Sequence, residues 1–277
     1  MHTSELDFMI RLLHTRSGLA LTHDKQYLLE SRLMPIARAN GCKDYSELVS
    51  LLRTRPTEAL LTEVTEAMTT NESSFFRDGK PFEHLRQIIL PQLRQNAGAR
   101  RTLRIWSAAC SSGQEPYTIA MTLLEDAVKN PGWKYEIVAT DLASKIVDKA
   151  KQGIYSQFEA QRGMPIQLLL KYFKSNPDTS WQVKDELRDM IQFRVQNLLT
   201  DFSSLGQFDL IFCRNVLIYF DEATKAATIE RMCNKLQPNG FLFLGSTESI
   251  MEKNARLSQP EGLRGIYQAA VKSLQYA

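Results

Sequence analysis

From Ser4 to about Asn96, apolar residues recur three and four positions apart, beginning with Leu6, Met9, Ile10 and Leu13, so this part of the chain predicts packed helices. Thr22 precedes a second apolar series, Tyr27, Leu28, Leu33 and Ile36, which Gly41 ends; Pro35 inside it predicts a kink or a later start. Two further helices fit 44–54 and 56–68, the second opening on Pro56, and a longer one fits 79–96. After Arg101 the rhythm changes. LRIWSA (103–108), YEIVATD (135–141), IQFRVQN (191–197), FDLIFCRN (208–215) and GFLFLGS (240–246) predict strands, and helical stretches at 114–129, 143–151 and 222–236 separate them. That alternation predicts an α/β domain with a mostly parallel sheet covered by helices. A last strand, GIYQAA (265–270), is expected to pair antiparallel with GFLFLGS at the sheet edge. One interval, about 154–190, breaks the alternation with Ile154-Tyr155, a helical piece at 164–173, the turn SNPDT and a strand-like WQV, and predicts an insertion on the sheet.

Composition narrows the class without naming it. The 277 residues allow one large domain with an appendage, or two domains, and 43% hydrophobic with 23% charged residues excludes a disordered chain. A net charge of +3 is too small to argue for nucleic acid. Cys42, Cys110, Cys213 and Cys233 form no C-x-x-C pair and the histidines stand apart from them, so neither a metal site nor a disulfide framework is expected. No leader opens the chain and no apolar run approaches the roughly 20 residues of a membrane span, which makes the cytoplasm the expected compartment, without membrane insertion.

In open α/β sheets ligands bind beyond the carboxyl ends of the strands. There the sequence places Ser111, Gly113 and Glu115 after the first strand and Asp141 after the second. Asn197 and Leu198 follow the third, and Arg214 and Asn215 the fourth, with Tyr219 a helical turn on. An acid closing the second strand can hold ribose hydroxyls, yet Asp141 can equally cap the helix that follows. The loop SAACSSG has a single glycine, Gly113, where a dinucleotide site wants three. Glu115 would repel a pyrophosphate but suits a ligand bearing an amino group and a sulfonium, which favours S-adenosylmethionine over NAD.

TTNESSFFRD (69–78), WSAACSSGQEPYTIA (106–120), VATD (138–141), FDLIFCRNVLIYFD (208–221) and LQPNGFLFLGSTES (236–249) together resemble the chemotaxis receptor methyltransferases, the CheR family. The resemblance implies an all-helical N-terminal domain for receptor recognition, 1–80, and a linker helix and connection, 81–101. A Rossmann-like class I S-adenosylmethionine-dependent methyltransferase domain follows, 102–277, with a small β-subdomain inserted at about 154–190. It implies cofactor contacts at Asn71, Ser73, Arg77, Glu115, Asp141, Asn197, Leu198, Arg214 and Asn215, and places Arg77 and Tyr219 closest to the transferred methyl. Ser73 stands where relatives often have Thr, and Gln114 replaces the first acid of the commoner S-T-G-E-E-P-Y-S loop.

The implied reaction carries the methyl to glutamates on the cytoplasmic methylation helices of chemoreceptors, giving a methyl ester and S-adenosylhomocysteine. A glutamate with a pKa of about 4.3 is already ionised at neutral pH, so no general base is needed. Arg32, Arg38, Lys43, Arg53 and Arg55 supply positive charge for an acidic receptor, and no basic stripe interleaved with aromatics argues for nucleic acid. A monomer is expected. A non-catalytic S-adenosylmethionine-binding module, or a methyltransferase for another substrate, stands as the alternative. The segment from Tyr172 to Leu187 is slightly shorter than in relatives that dock a C-terminal receptor pentapeptide, so independence of that tether is expected.

Overall fold

The computed structural model describes residues 3–250 and 256–270. They divide into two compact units, one running up to Thr70 and including Tyr219–Lys225, the other comprising Asn71–Ile218 and the chain from Ala226 on. Residues 71–78 thus group with the sheet, where the resemblance set the boundary at 80, and residues 251–255 and 271–277 of the expected catalytic domain lie outside the described residues.

Helices Thr3–Ser17, Gln26–Ala39, Tyr45–Thr54 and Glu58–Ala67 build the first unit around Met9, Leu13, Leu29, Leu33, Leu48 and Val64. Capping sets the starts of the last two: Asp44 accepts from Glu47 N and Thr57 from Leu60 N. Pro35 sits inside its helix, not at its start. Arg32 Nη1 donates to the carbonyls of Met68 at 2.9 Å and Thr69 at 3.1 Å, satisfying acceptors that the end of helix Glu58–Ala67 leaves open. The segment 219–225 is held within this unit by Ala20 N donating to Tyr219 O at 2.8 Å, by a bridge between Leu19 and Phe220, and by an ion pair of His14 with Asp221.

The second unit carries β1 (Thr102–Ala108), β2 (Lys134–Asp141), β3 (Ile154–Tyr155), β4 (Phe173–Ser175), β5 (Trp181–Val183), β6 (Ile191–Val195), β7 (Phe208–Cys213), β8 (Leu236–Leu244), β9 (Leu257–Ser258) and β10 (Ile266–Ala269). Seven of them form one sheet in the order β6-β2-β1-β7-β8-β10-β9, parallel from β6 to β8 and antiparallel thereafter. All six residues of β7 are buried, which is why it reads as a continuous apolar run. The exception, Asp209, accepts from Arg104 N at 2.8 Å and pairs with Arg100. β10 pairs with β8 as expected, but β9 lies outside it, so the hairpin is not the edge. β8 also starts earlier than GFLFLGS: Leu236 pairs with Phe208, and the ladder slips before Leu210, which accommodates Pro238 within the strand.

The helix expected at 79–96 runs from Lys80 to Asn96 with a π turn at Leu85–Ile89, where the wider turn precedes Pro91, a residue with no N–H to give. The insertion is a small antiparallel sheet, β3-β5-β4, with helices Gln157–Gln161 and Ile166–Tyr172. It joins the main core through Phe75, whose ring meets Tyr155 edge-on at 5.0 Å and Phe173 at 5.5 Å. Gly163, at φ +83°, lets the chain pass so close that a Cβ there would fall 2.2 Å from Phe75 O. Phe75→Ala should therefore destabilise the sheet unit by about 3–5 kcal/mol in urea unfolding followed by tryptophan fluorescence. A loss below about 1 kcal/mol would mean that the insertion does not hang on this ring.

Candidate active site

Strand order reverses between β1 and β7, and the loops leaving β1, β2, β6 and β7 meet at that end of the sheet. The β1 loop turns sharply: Ala109 (φ 59°), Ser111 (φ 50°) and Gly113 (φ 95°) all adopt left-handed conformations. Gly113 has no room for a side chain, because a Cβ would lie 2.9 Å from Tyr155 Oη and 3.0 Å from Ala150 Cβ. Tyr155 in turn donates to Ser112 O at 2.6 Å. Gly113 is thus required by crowding from Tyr155 of the insertion and from Ala150 as well as by the turn it makes.

Charge at the site centres on Arg214, whose side chain is 1% exposed. Nη1 donates to Glu115 at 3.0 Å, and Nη2 donates to Asp78 at 2.8 Å and to Arg77 O at 2.9 Å. The guanidinium lies over the Phe82 ring, 5.5 Å from its centre, and its Nε has no partner among the described residues. Glu115 also accepts from Ser107 Oγ at 2.8 Å. Burial pushes its carboxyl above the usual carboxylate range, while Arg214 and Ser107 pull it back.

Asp141 Oδ1 accepts from Ala143 N at 3.1 Å, ahead of helix Ser144–Gln152, and Oδ2 accepts from Ser111 N at 2.8 Å. Its carbonyl accepts from Gln196 N at 2.8 Å, bringing Asn197 and Leu198 alongside. Asn197 Oδ1 accepts from Leu199 N at 2.9 Å, and Arg231 donates to Leu198 O at 2.9 Å. Asn71 O accepts from Ser111 Oγ at 2.8 Å, and Ser73 is half-buried in the same stretch. Arg77 Nη1 donates to Glu72 O at 3.1 Å, and Glu72 pairs with Arg162 of the insertion at 2.7 Å.

The expected residues fall into two linked groups: Asn71 and Asp141 joined through Ser111, with Asn197 and Leu198 reached through Gln196, and Arg77 and Glu115 joined through Arg214, which Asn215 follows in the chain. Tyr219 groups instead with the helical unit. The sequence pattern did not single out Asp78, Tyr155 or Glu248; the first and last stand inside TTNESSFFRD and LQPNGFLFLGSTES, but nothing in their spacing marks a partner. Cys110 and Cys213 are fully buried, and burial holds both thiols well above the usual range, so neither supplies a thiolate. Among the described residues no cluster of His, Cys, Asp and Glu could hold a metal ion.

The donor set fits a cationic nucleoside. Glu115, Asp141 and Glu248 bring negative charge to these loops, and Arg214, the buried cation among them, is already met by Asp78 as well as Glu115. The sheet order and the loops at its switch point define a class I methyltransferase-like fold. Residues 71–265 match the CheR methyltransferase SAM binding domain, and residues 4–69 the CheR methyltransferase all-alpha domain. The chain belongs to the CheR methyltransferase family. It is 42% identical to chemotaxis protein methyltransferase Cher2 of Pseudomonas putida, across 90% of this chain and 92% of that one. It is 44% identical to chemotaxis protein methyltransferase 1 of Pseudomonas aeruginosa, across 84% and 85%. The cofactor is S-adenosylmethionine, and the reaction class is methyl transfer.

Asp141→Asn should weaken S-adenosylhomocysteine binding by roughly 1.5–3 kcal/mol, the worth of a hydrogen bond to a charged group. Asp148→Asn, on an exposed carboxylate paired with Lys151, should leave it unchanged. Equal calorimetric affinities in the two folded variants would remove Asp141 from the site.

Proposed function

We propose that this chain transfers the methyl of S-adenosylmethionine to glutamate side chains of bacterial chemoreceptors, forming methyl esters that serve chemotactic adaptation. The observation that carries the reading is the state of the site's own carboxylates. Glu115 is held by Arg214 and Ser107, Asp141 by two backbone N–H groups, and Glu248 by four. A hydroxyl or ammonium acceptor would need a base to take its proton. A carboxylate acceptor arrives ionised and needs none.

The bound cofactor supplies an electrophilic methyl on a sulfonium. The chain's residues bind and align: Glu115 faces the positive charge of the amino-acid portion, Asp141 the ribose hydroxyls, and Asn197 with Leu198 the base. Arg77 meets either the methionine carboxylate or the incoming glutamate. Alignment of carboxylate oxygen, methyl carbon and sulfur is where most of the rate would come from. The helical unit recognises the acidic receptor through its exposed Arg38, Lys43 and Arg55, because Arg32 is already committed to the end of helix Glu58–Ala67 and Arg53 to Ser4 O and the Phe8 ring. Among the described residues no helix is long and apolar enough to cross a membrane.

Incubation with methyl-labelled cofactor and a chemoreceptor cytoplasmic fragment should give label that mild base releases as methanol. Base-stable label would mean N-methylation and overturn the glutamate assignment. Tether independence has its own support in the β4–β5 connection, a closed turn in which Asn176 N donates to Ser180 O at 2.8 Å and Asp178 accepts from Ser180 N at 3.0 Å. A turn so short offers a docking strand little to extend. Calorimetry with the isolated receptor pentapeptide should be silent, and saturable micromolar binding, about −8 kcal/mol, would overturn it.

A further inference from the structure

Glu248 follows β8 in the stretch GSTES and is 7% exposed. Its Oε2 accepts from Gly245 N at 2.6 Å and Asn215 N at 2.8 Å, and its Oε1 from Val216 N at 2.9 Å and Ile218 N at 3.3 Å. Among the described residues no lysine, arginine or histidine forms an ion pair with it. A buried carboxylate without a cation persists only where hydrogen bonds replace its hydration, and here backbone N–H groups from two separate segments do so.

Three of those donors belong to the turn that leaves β7. Asn215 takes φ 60°, a conformation costly for a residue with a Cβ. Arg214, one residue earlier, carries the guanidinium between Glu115 and Asp78. The fourth donor, Gly245, comes from the end of β8. A Cβ at Gly245 would fall 2.7 Å from Glu248 Oε2, 2.8 Å from Asn215 Nδ2 and 2.9 Å from Asn215 N. The glycine therefore exists to let the β8 end close onto the β7 turn, with Glu248 as the clasp.

We infer that Glu248 is a positioning residue for methyl transfer: it fixes the strained Arg214–Asn215 turn against the end of β8, and so sets where these two residues stand toward cofactor and acceptor. The inference rests on the reaction proposed above. A glutamate with only a structural duty would affect melting and leave turnover of the folded enzyme alone. A positioning residue also affects kcat.

The full-length chain carries the test through Glu248→Gln, which keeps the shape but turns a donor toward N–H groups that need an acceptor. At temperatures where circular dichroism shows it folded, kcat at saturating S-adenosylmethionine and receptor fragment should fall roughly tenfold to a hundredfold, the scale of small misplacements at a reacting centre, while the receptor KM moves less than about threefold. Amide exchange over 214–218 should quicken with the rest of the sheet still protected. Gly245→Ala, which pushes on the same clasp from the other side, should reproduce both effects, and it replaces Glu248→Gln should that variant not fold. A folded variant with wild-type kcat overturns the assignment, whatever its exchange over 214–218. Wild-type protein that fails to methylate the receptor fragment sinks the glutamate reading instead; Glu248 is then judged by exchange and S-adenosylhomocysteine affinity, and if neither changes in the variant the assignment falls too.

Discussion

Arg214 carries a charge in a place where water does not reach it, and such a cation persists only where carboxylates and carbonyls surround it. The junction joins three distant parts of the chain: Asp78 and the Arg77 carbonyl ahead of helix 80–96, Glu115 in the helix after β1, and Arg214 itself after β7. No pair among them is independent. Withdrawing Glu115 or Asp78 would strand a buried guanidinium, and withdrawing Arg214 would leave two carboxylates facing each other, losses that run to several kcal/mol. One ionic junction therefore makes separate loops into a single site. It also leaves Glu115 committed before any ligand arrives, which costs no reorganisation when a cation binds.

Around that junction the backbone is strained where function needs it. Phe76 and Asp78 in TNESSFFRD, Ala109 and Ser111 after β1, and Asn215 after β7 all have positive φ without being glycine. Each such residue costs on the order of 1–3 kcal/mol and persists only when its surroundings over-determine it. The surroundings are visible: Asp141 holds Ser111 N, Glu248 holds Asn215 N, and Phe76 N donates to Thr118 Oγ1 at 3.2 Å. The insertion contributes as well, because Tyr155 braces Ser112 and packs on Phe75. It is a structural partner of the β1 loop, and its aromatic rings belong to the main core.

The elements were legible in the chain because local burial leaves a local pattern. β1, β2 and β7 are apolar runs since both faces of a parallel sheet are covered, and helix Tyr45–Thr54 starts where Asp44 can cap it. β9 was not legible, since two residues carry no period, and Pro238 hid the start of β8. Arg32 looked like a surface cation, because nothing in its helix reveals that Met68 and Thr69 end beside it.

The candidate site divides along the same line. The sequence by itself determined the fold class, the family and most of the residues at the strand ends, because strand ends are marked by the patterns on either side of them and the motifs are contiguous. Only the tertiary structure decided how those residues are used: that Asp141 is shared between Ala143 and Ser111, that Arg214 joins Glu115 to Asp78, and that Glu248 clasps the turn at Asn215. Such contacts link residues as far as 136 positions apart, and a buried charge is satisfied by whatever donors the fold delivers, which no local periodicity records.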